Sequence, residues 1–172
     1  MMVLEDPTQD KDSQTMPRQY WLLKSEPDSF SIDDLAKAPK KTTDWGGVRN
    51  YQARNFLRDR LAVGDLAFYY HSNAHPPGIA GLASITRAGY PDSTQFDPQS
   101  DYYDADSSPE NPRWYCVDVR FEKKFDRILS LDELRGLKEL RGMVLLNKSR
   151  LSVQPVSKDE WDAILRYADS KR

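Results

Sequence analysis

Few residues in this chain of 172 are equipped for covalent or metal chemistry: there are two histidines, His71 and His75, and one cysteine, Cys116. The histidines stand four apart, but they flank Ser72-Asn73-Ala74 and run into Pro76-Pro77. A turn does not stack two ligands as a helix does, so no metal site is expected. Cys116 lies in a Tyr-Cys-Val-Asp-Val alternation with no base beside it in sequence, and reads as a small buried hydrophobe, not a nucleophile. The acid pairs Asp33-Asp34 and Asp132-Glu133 fall in the first turns of candidate helices, where the helix dipole and the caps account for them. The CxxC, HExxH, GxSxG and phosphate-loop motifs are absent. The expectation is a chain with no catalytic residue, no metal and no cofactor, one that binds its ligand without transforming it.

Groups suited to binding gather in four segments. Lys24-Ser25-Glu26-Pro27 is a charged exit from a strand. Asp44-Trp45-Gly46-Gly47-Val48-Arg49-Asn50-Tyr51-Gln52-Ala53-Arg54-Asn55 sets a flat aromatic face before two glycines, which let backbone come close to a ligand, and then starts a helix. Tyr69-Tyr70-His71-Ser72-Asn73 ends a strand in hydrogen-bonding side chains. Arg150-Leu151-Ser152-Val153-Gln154-Pro155-Val156 is the fourth. Asn50, Arg54 and Arg58, four apart, make a polar stripe on one helix face.

The formal charge of −2 is accounted for by residues 1–18, where Glu5, Asp6, Asp10 and Asp12 stand against Lys11 and Arg18; the remainder is neutral. A protein that grips duplex DNA through many phosphates usually carries a basic excess, so a nucleic-acid partner would be held at a local site. One cysteine forms no internal disulfide and suits a reducing cytoplasm. No apolar run has membrane-spanning length, and the start lacks the basic and apolar regions of a secretory signal. Residues 1–18 read as a disordered polar tail, and 19–172 as one domain.

The elements that must carry these segments are legible from their periods. Gln19 to Lys24 is a buried strand. Three helix starts share an apolar–Ser–x–x–acid–apolar pattern, at Ser31, Ser130 and Ser157, the signature of a capping box with a hydrophobic staple. A further helix is expected from about Val48 to Arg60, with Ala53, Phe56 and Leu57 inward. In the last helix Trp161, Ile164, Leu165 and Ala168 form a core-facing stripe. Strands are expected at Leu66–Tyr70, Gly78–Thr86, Tyr115–Phe121 and Leu151–Val156. Pro91 to Pro112 reads as a long surface loop, of a length that is often functional. The order is not a regular βαβ series, so the fold class is α+β, with a curved, mostly antiparallel sheet or barrel of five to six strands.

Taken together, Tyr20-Trp21-Leu22-Leu23-Lys24-Ser25-Glu26-Pro27, the run from Trp45 to Asn55, Tyr70-His71-Ser72-Asn73, Pro77-Gly78-Ile79-Ala80-Gly81, Tyr90-Pro91-Asp92, Asn111-Pro112 with Trp114, and Arg150 to Pro155 form a pattern. It resembles the EVE domain family, and within it the thymocyte nuclear protein type, over about residues 19–169. The resemblance implies a PUA-like antiparallel β-barrel decorated with helices, and a non-catalytic reader of a modified nucleobase: 5-methylcytosine or its oxidised forms in DNA, or a modified base in RNA. It places the ligand at Ser25, Trp45, Asn50, Tyr51, Arg54, Tyr70, His71, Ser72, Asn73, Arg150 and Ser152. A free nucleotide is the other candidate partner, and a PUA-like enzyme acting on a nucleoside or nucleic acid is the alternative function, since fold does not fix function. A monomer is expected, away from membranes, cytoplasmic or, in a eukaryote, nuclear. The nuclear relatives carry a longer, basic N-terminal extension where this chain has a short acidic one, which argues against tight nonspecific binding to DNA.

Overall fold

A computed structural model of the chain describes residues 17–147 and 150–170. The tail expected over the first residues lies, for 1–16, outside the described part; Pro17 and Arg18 are exposed and belong to no regular element. The elements are strands β1 (Tyr20–Ser25), β2 (Thr42–Asp44), β3 (Leu66–His71), β4 (Gly78–Pro91), β5 (Tyr115–Ser130) and β6 (Val153–Val156). Helices are α1 (Pro27–Phe30), α2 (Ile32–Lys37), α3 (Tyr51–Asp59), α4 (Leu131–Arg135), α5 (Val144–Asn147) and α6 (Lys158–Ser170), with short 3-10 turns at Pro39–Lys41, Ser93–Phe96 and Lys138–Leu140.

The six strands form one sheet in the order β2-β5-β4-β3-β1-β6. The architecture is the α+β one expected, with two differences in detail. The sheet is mixed, because β1 runs parallel to β3, from Tyr20 opposite Leu66 to Ser25 opposite His71. It is also open: β2 and β6 are its two edges. The parallel pair has a physical reason. A parallel partner needs a long crossover, and residues 27–59, with α1, α2, β2 and α3, supply it.

That crossover lies against one face of the sheet and explains the continuous apolar run in β1. Trp21 and Leu23 join a core with Leu35, Leu57, Tyr69 and Val117. Leu22 points the other way, into a second core with Phe68, Tyr70, Leu129, Trp161 and Ile164. Each buried leucine of this kind contributes about 1.5–3 kcal/mol of hydrophobic stabilisation, so a polar substitution at either face of β1 would cost one of the two cores.

The helix caps follow the sequence. Ser31 accepts from the Asp34 amide and Asp34 from the Ser31 amide. Ser130 and Glu133 make the same box at α4, and Ser157 and Glu160 make it before α6. The helix expected from Val48 begins instead at Tyr51, with Asn50 as its cap. β5 runs on to Ser130 past the expected end at Phe121, since Leu82 and Gly81 pair with Lys123 and Lys124 across register shifts in the sheet. Among the described residues no helix is long and apolar enough to cross a membrane.

Candidate functional site

A cleft of about 450 Å³ opens where the end of β1, helix α1 and the segment after β2 meet, lined by Ser25, Phe30, Trp45, Gly46, Gly47, Arg49, Tyr102 and Ser152 among others. Its size falls within the roughly 300–1,000 Å³ of small-molecule sites. Trp45 is fixed by its amide, which donates to Val117 O at 2.7 Å, and is 8% exposed. Its ring meets the ring of Tyr69 edge to face, with centroids 5.4 Å apart and planes at 85°. Tyr69 meets His71 in the same way, at 5.7 Å and 86°. Residues 69 and 71 share a face because side chains alternate along a strand.

The wall opposite is tied to this aromatic row. The Tyr69 hydroxyl donates to Phe30 O at 2.5 Å, and Ser25 Oγ donates to the same carbonyl at 2.8 Å. Burial pushes the Tyr69 hydroxyl above its ordinary value, so it remains a donor. The Ile32 amide donates to His71 Nε2 at 3.1 Å, which assigns the proton of the neutral ring to Nδ1. Burial holds His71 below its ordinary pKa, with Asp33 partly opposing. The imidazole is therefore a neutral acceptor at the start of α2.

The glycine pair is organised by a buried carboxylate. Asp92 accepts from Gly47 N at 2.7 Å, Thr94 N at 2.9 Å, Thr94 Oγ1 at 2.6 Å and Arg49 Nη1 at 3.1 Å. Burial alone would push this carboxyl up; the hydrogen bonds from Thr94, Gly47 and Arg49 outweigh it and hold the group below its ordinary value. Gly47 has φ +79°, a left-handed conformation that favours glycine.

From the cleft mouth outward runs a ladder of flat groups. Tyr102 lies against Gly47. The Arg49 guanidinium stands 5.5 Å from the Tyr102 ring and 5.1 Å from that of Trp114, and Trp114 stacks on Tyr51 with centroids 4.9 Å apart at 21°. Arg49 also donates to Tyr102 O at 2.7 Å and to Thr94 Oγ1 at 3.1 Å. Trp114 Nε1 donates to Asp104 Oδ2 at 2.7 Å. Gln95 ties the loop to the sheet: it donates to Asp92 O and Trp114 O and accepts from the Arg113 and Trp114 amides.

The residues singled out from sequence are distributed over this layout and are not all in the cleft. Ser25, Trp45 and Ser152 line it. Tyr51 and Arg54 lie outside it, on the ladder, with Arg54 donating to Arg113 O. Asn50 uses Oδ1 to cap α3. His71 sits behind Tyr69, and the Ser72 amide donates to Ser25 O at 3.0 Å. Tyr70 is on the opposite face, in the second core, with the Lys24 ammonium 5.5 Å over its ring. Asn73 is exposed in a turn with φ 51°, and Arg150 is exposed beside β6. Arg58, the third member of the polar stripe, is matched by Asp59 through two contacts of 2.8 Å. Arg49, Asp92, Gln95 and Tyr102 were not among the candidates, although Tyr90-Pro91-Asp92 belongs to the motif pattern.

Cys116 is buried, and desolvation pushes its thiol up to about 12, a value suited to a packed neutral thiol. Among the described residues no group of three or more His, Cys, Asp or Glu side chains is placed to hold a metal ion.

Comparisons with known proteins identify the family and the fold. The EVE domain model matches residues 19–167. Thymocyte nuclear protein 1 of Homo sapiens is 44% identical over 169 residues, covering 88% of this chain and 75% of its own. The crystal structure of human THYN1 in complex with 5-methylcytosine-containing DNA superposes with a TM-score of 0.85 at 44% identity, over 90% of this chain and 99% of that one. A hypothetical protein from Leishmania major gives 0.85 at 49% identity, over 90% and 97%. The chain thus has the α+β fold of these proteins, and it belongs to the EVE domain family.

Proposed function

We propose that this chain binds nucleic acid and reads a modified base, 5-methylcytosine or an oxidised form of it in DNA, in the cleft walled by Trp45. The observation that carries the reading is the combination of a neighbour solved with 5-methylcytosine-containing DNA and a cleft whose aromatic wall, glycine backbone and serine side chains suit a flat, polar-edged ligand. A base removed from its stack loses contacts that an aromatic surface restores. Ser152 borders the cavity where a base edge would need partners, and Ser25, whose hydroxyl donates to Phe30 O, can still accept there. Histidine and cysteine offer the cleft no free catalytic group: His71 receives the Ile32 amide, and Cys116 is buried.

The test is a titration of the purified protein against matched oligonucleotides, single-stranded and duplex, with cytosine, 5-methylcytosine or 5-hydroxymethylcytosine at one position. A preference of about tenfold or more for a modified strand, worth about 1.4 kcal/mol, supports the reading. Equal affinity for all three strands overturns it. RNA strands carrying modified bases in the same format decide between the two nucleic acids.

A further inference from the structure

Large apolar side chains left exposed mark interaction surfaces when they gather in one place. Four are exposed among the described residues, and three are tyrosines: Tyr51 at 53%, Tyr102 at 48% and Tyr103 at 45%. Tyr51 and Tyr102 stand at the two ends of the ladder that leads away from the cleft.

The geometry points to a second subsite on this ladder: the outer face of Tyr51 stacks another base of the strand whose modified base enters the cleft, and Arg54 neutralises a phosphate beside it. This rests on the reading of the chain as a nucleic-acid binder and extends it beyond the cleft. One face of Tyr51 is taken by Trp114, stacked at 4.9 Å. Arg54 does not cover the other. Its guanidinium is 4.9 Å from the Tyr51 ring and 5.9 Å from the Trp114 ring, so it stands beside the stacked pair. On the outer face it would be about twice as far from Trp114 as from Tyr51, as expected for three stacked layers. An aromatic ring backed by Trp114 and half open to solvent is a preformed platform, and every base has a π-face to lay on it.

The charge on Arg54 fits the same occupant. Its hydrogen bonds go to neutral oxygens, Asn55 Oδ1 at 2.9 Å and Arg113 O, and it enters no ion pair among the described residues. Arg58, one turn on, holds Asp59, and Arg49 holds Asp92. Among the described residues Arg54 is therefore the ladder arginine that pairs directly with no carboxylate; Asp59, which Arg58 holds, feels its charge only at longer range. The platform is rigid because Arg49, Asp92 and Gln95 brace the loop that carries Tyr102 and Trp114, so a strand would meet it without first ordering it.

The test separates this subsite from the cleft. Affinities are measured for single-stranded pentanucleotides with cytosine or 5-methylcytosine at the centre, against wild type, Tyr51→Ala, Tyr51→Phe and Arg54→Gln, with thermal melts to verify folding. The ratio between the two strands reports the cleft; a factor common to both reports the platform. Tyr51→Ala is expected to weaken both strands by the same factor, about 10-fold or more, the size of one base–aromatic stack. Tyr51→Phe, which keeps the ring, restores wild-type affinity. Arg54→Gln makes the slope of log affinity against log salt shallower by about 0.7, one phosphate's worth for a single strand. A ratio of one combined with the common loss removes the cleft reading and leaves the subsite standing. Folded Tyr51→Ala with unchanged pentanucleotide affinity overturns the subsite, as does a loss confined to the modified strand.

Discussion

The Tyr102 ring lies so close to Gly47 that a Cβ on residue 47 would stand 2.9 Å from Tyr102 Cζ. The glycine is required twice over, for its left-handed φ and for this approach. Gly47→Ala is expected to lower stability by about 1–2 kcal/mol from backbone strain alone, and by more from the displaced ring. Adding Tyr102→Ala should relieve the second part and not the first. A double-mutant cycle on thermal unfolding measures the coupling; strict additivity would mean that the ring moves aside without cost.

Asp92 is 1% exposed and is the common acceptor for the Gly47 amide, two Thr94 groups and Arg49. Removing it leaves a buried amide and an arginine without their partner. Asp92→Ala is expected to cost about 2–4 kcal/mol and to loosen the loop with Tyr102, which proteolysis of the 93–113 segment would register. Its carboxyl is held below the unfolded value of 3.8. Its contribution is therefore present above about pH 3.8 and disappears as pH falls through the lower folded value. Acid unfolding of Asp92→Ala should show a weaker dependence on pH in that range than wild type.

His71 titrates in a more accessible window. In the folded protein burial holds its pKa below 6.5, with Asp33 opposing and Lys124 adding to the shift, and Nε2 accepts from the Ile32 amide. The unfolded chain takes up the proton first, so this stabilisation is complete above about pH 6.5 and falls away as the pH drops toward the folded value. His71→Gln, whose carbonyl can also accept from Ile32, should unfold with a smaller difference between pH 7.5 and pH 5.5 than wild type. An equal difference in the two proteins would place the pH sensitivity on other groups.

Much of the frame was legible because it rests on local rules. Ser31, Ser130 and Ser157 cap helices as their spacing indicated, and the core stripe of α6 is buried at Trp161 and Ile164. The parallel pairing of β1 with β3 was not legible, since a buried apolar run has the same pattern in either direction. The site was legible in part. Trp45 and the glycines announce themselves by type, whereas Tyr69 and Tyr70 differ only by which face of β3 each occupies, a matter of register. The burial of Asp92 depends on the fold of a polar loop, held by Gln95, that has no periodicity to read. Asn50 illustrates a competition: the side chain that would suit a base edge is also a strong helix cap, and in this structure it caps α3.

The charge distribution and the burial of Trp45 together set how binding should respond to salt and to mutation. Outside residues 1–18 the chain is electrically neutral, and Arg49, Arg58 and Arg113 all stand within ion-pair distance of acids. Few phosphates can be gripped, so the slope of log affinity against log salt for duplex DNA should be about −2 to −3, two to three contacts at about 0.9 each. Selectivity must then come from the cleft. Trp45→Ala is an unsuitable probe, because deleting a buried tryptophan costs about 3–5 kcal/mol of stability. Trp45→Phe keeps an aromatic wall of smaller area against Tyr69. It is expected to fold, to shrink the preference for a modified strand several-fold and to leave the salt slope where it was. Titrations of wild type and variant at two salt concentrations measure both quantities. A steep wild-type slope, typical of six or more phosphates, or a preference that Trp45→Phe leaves intact, would remove selectivity from this cleft and assign it to another surface of the molecule.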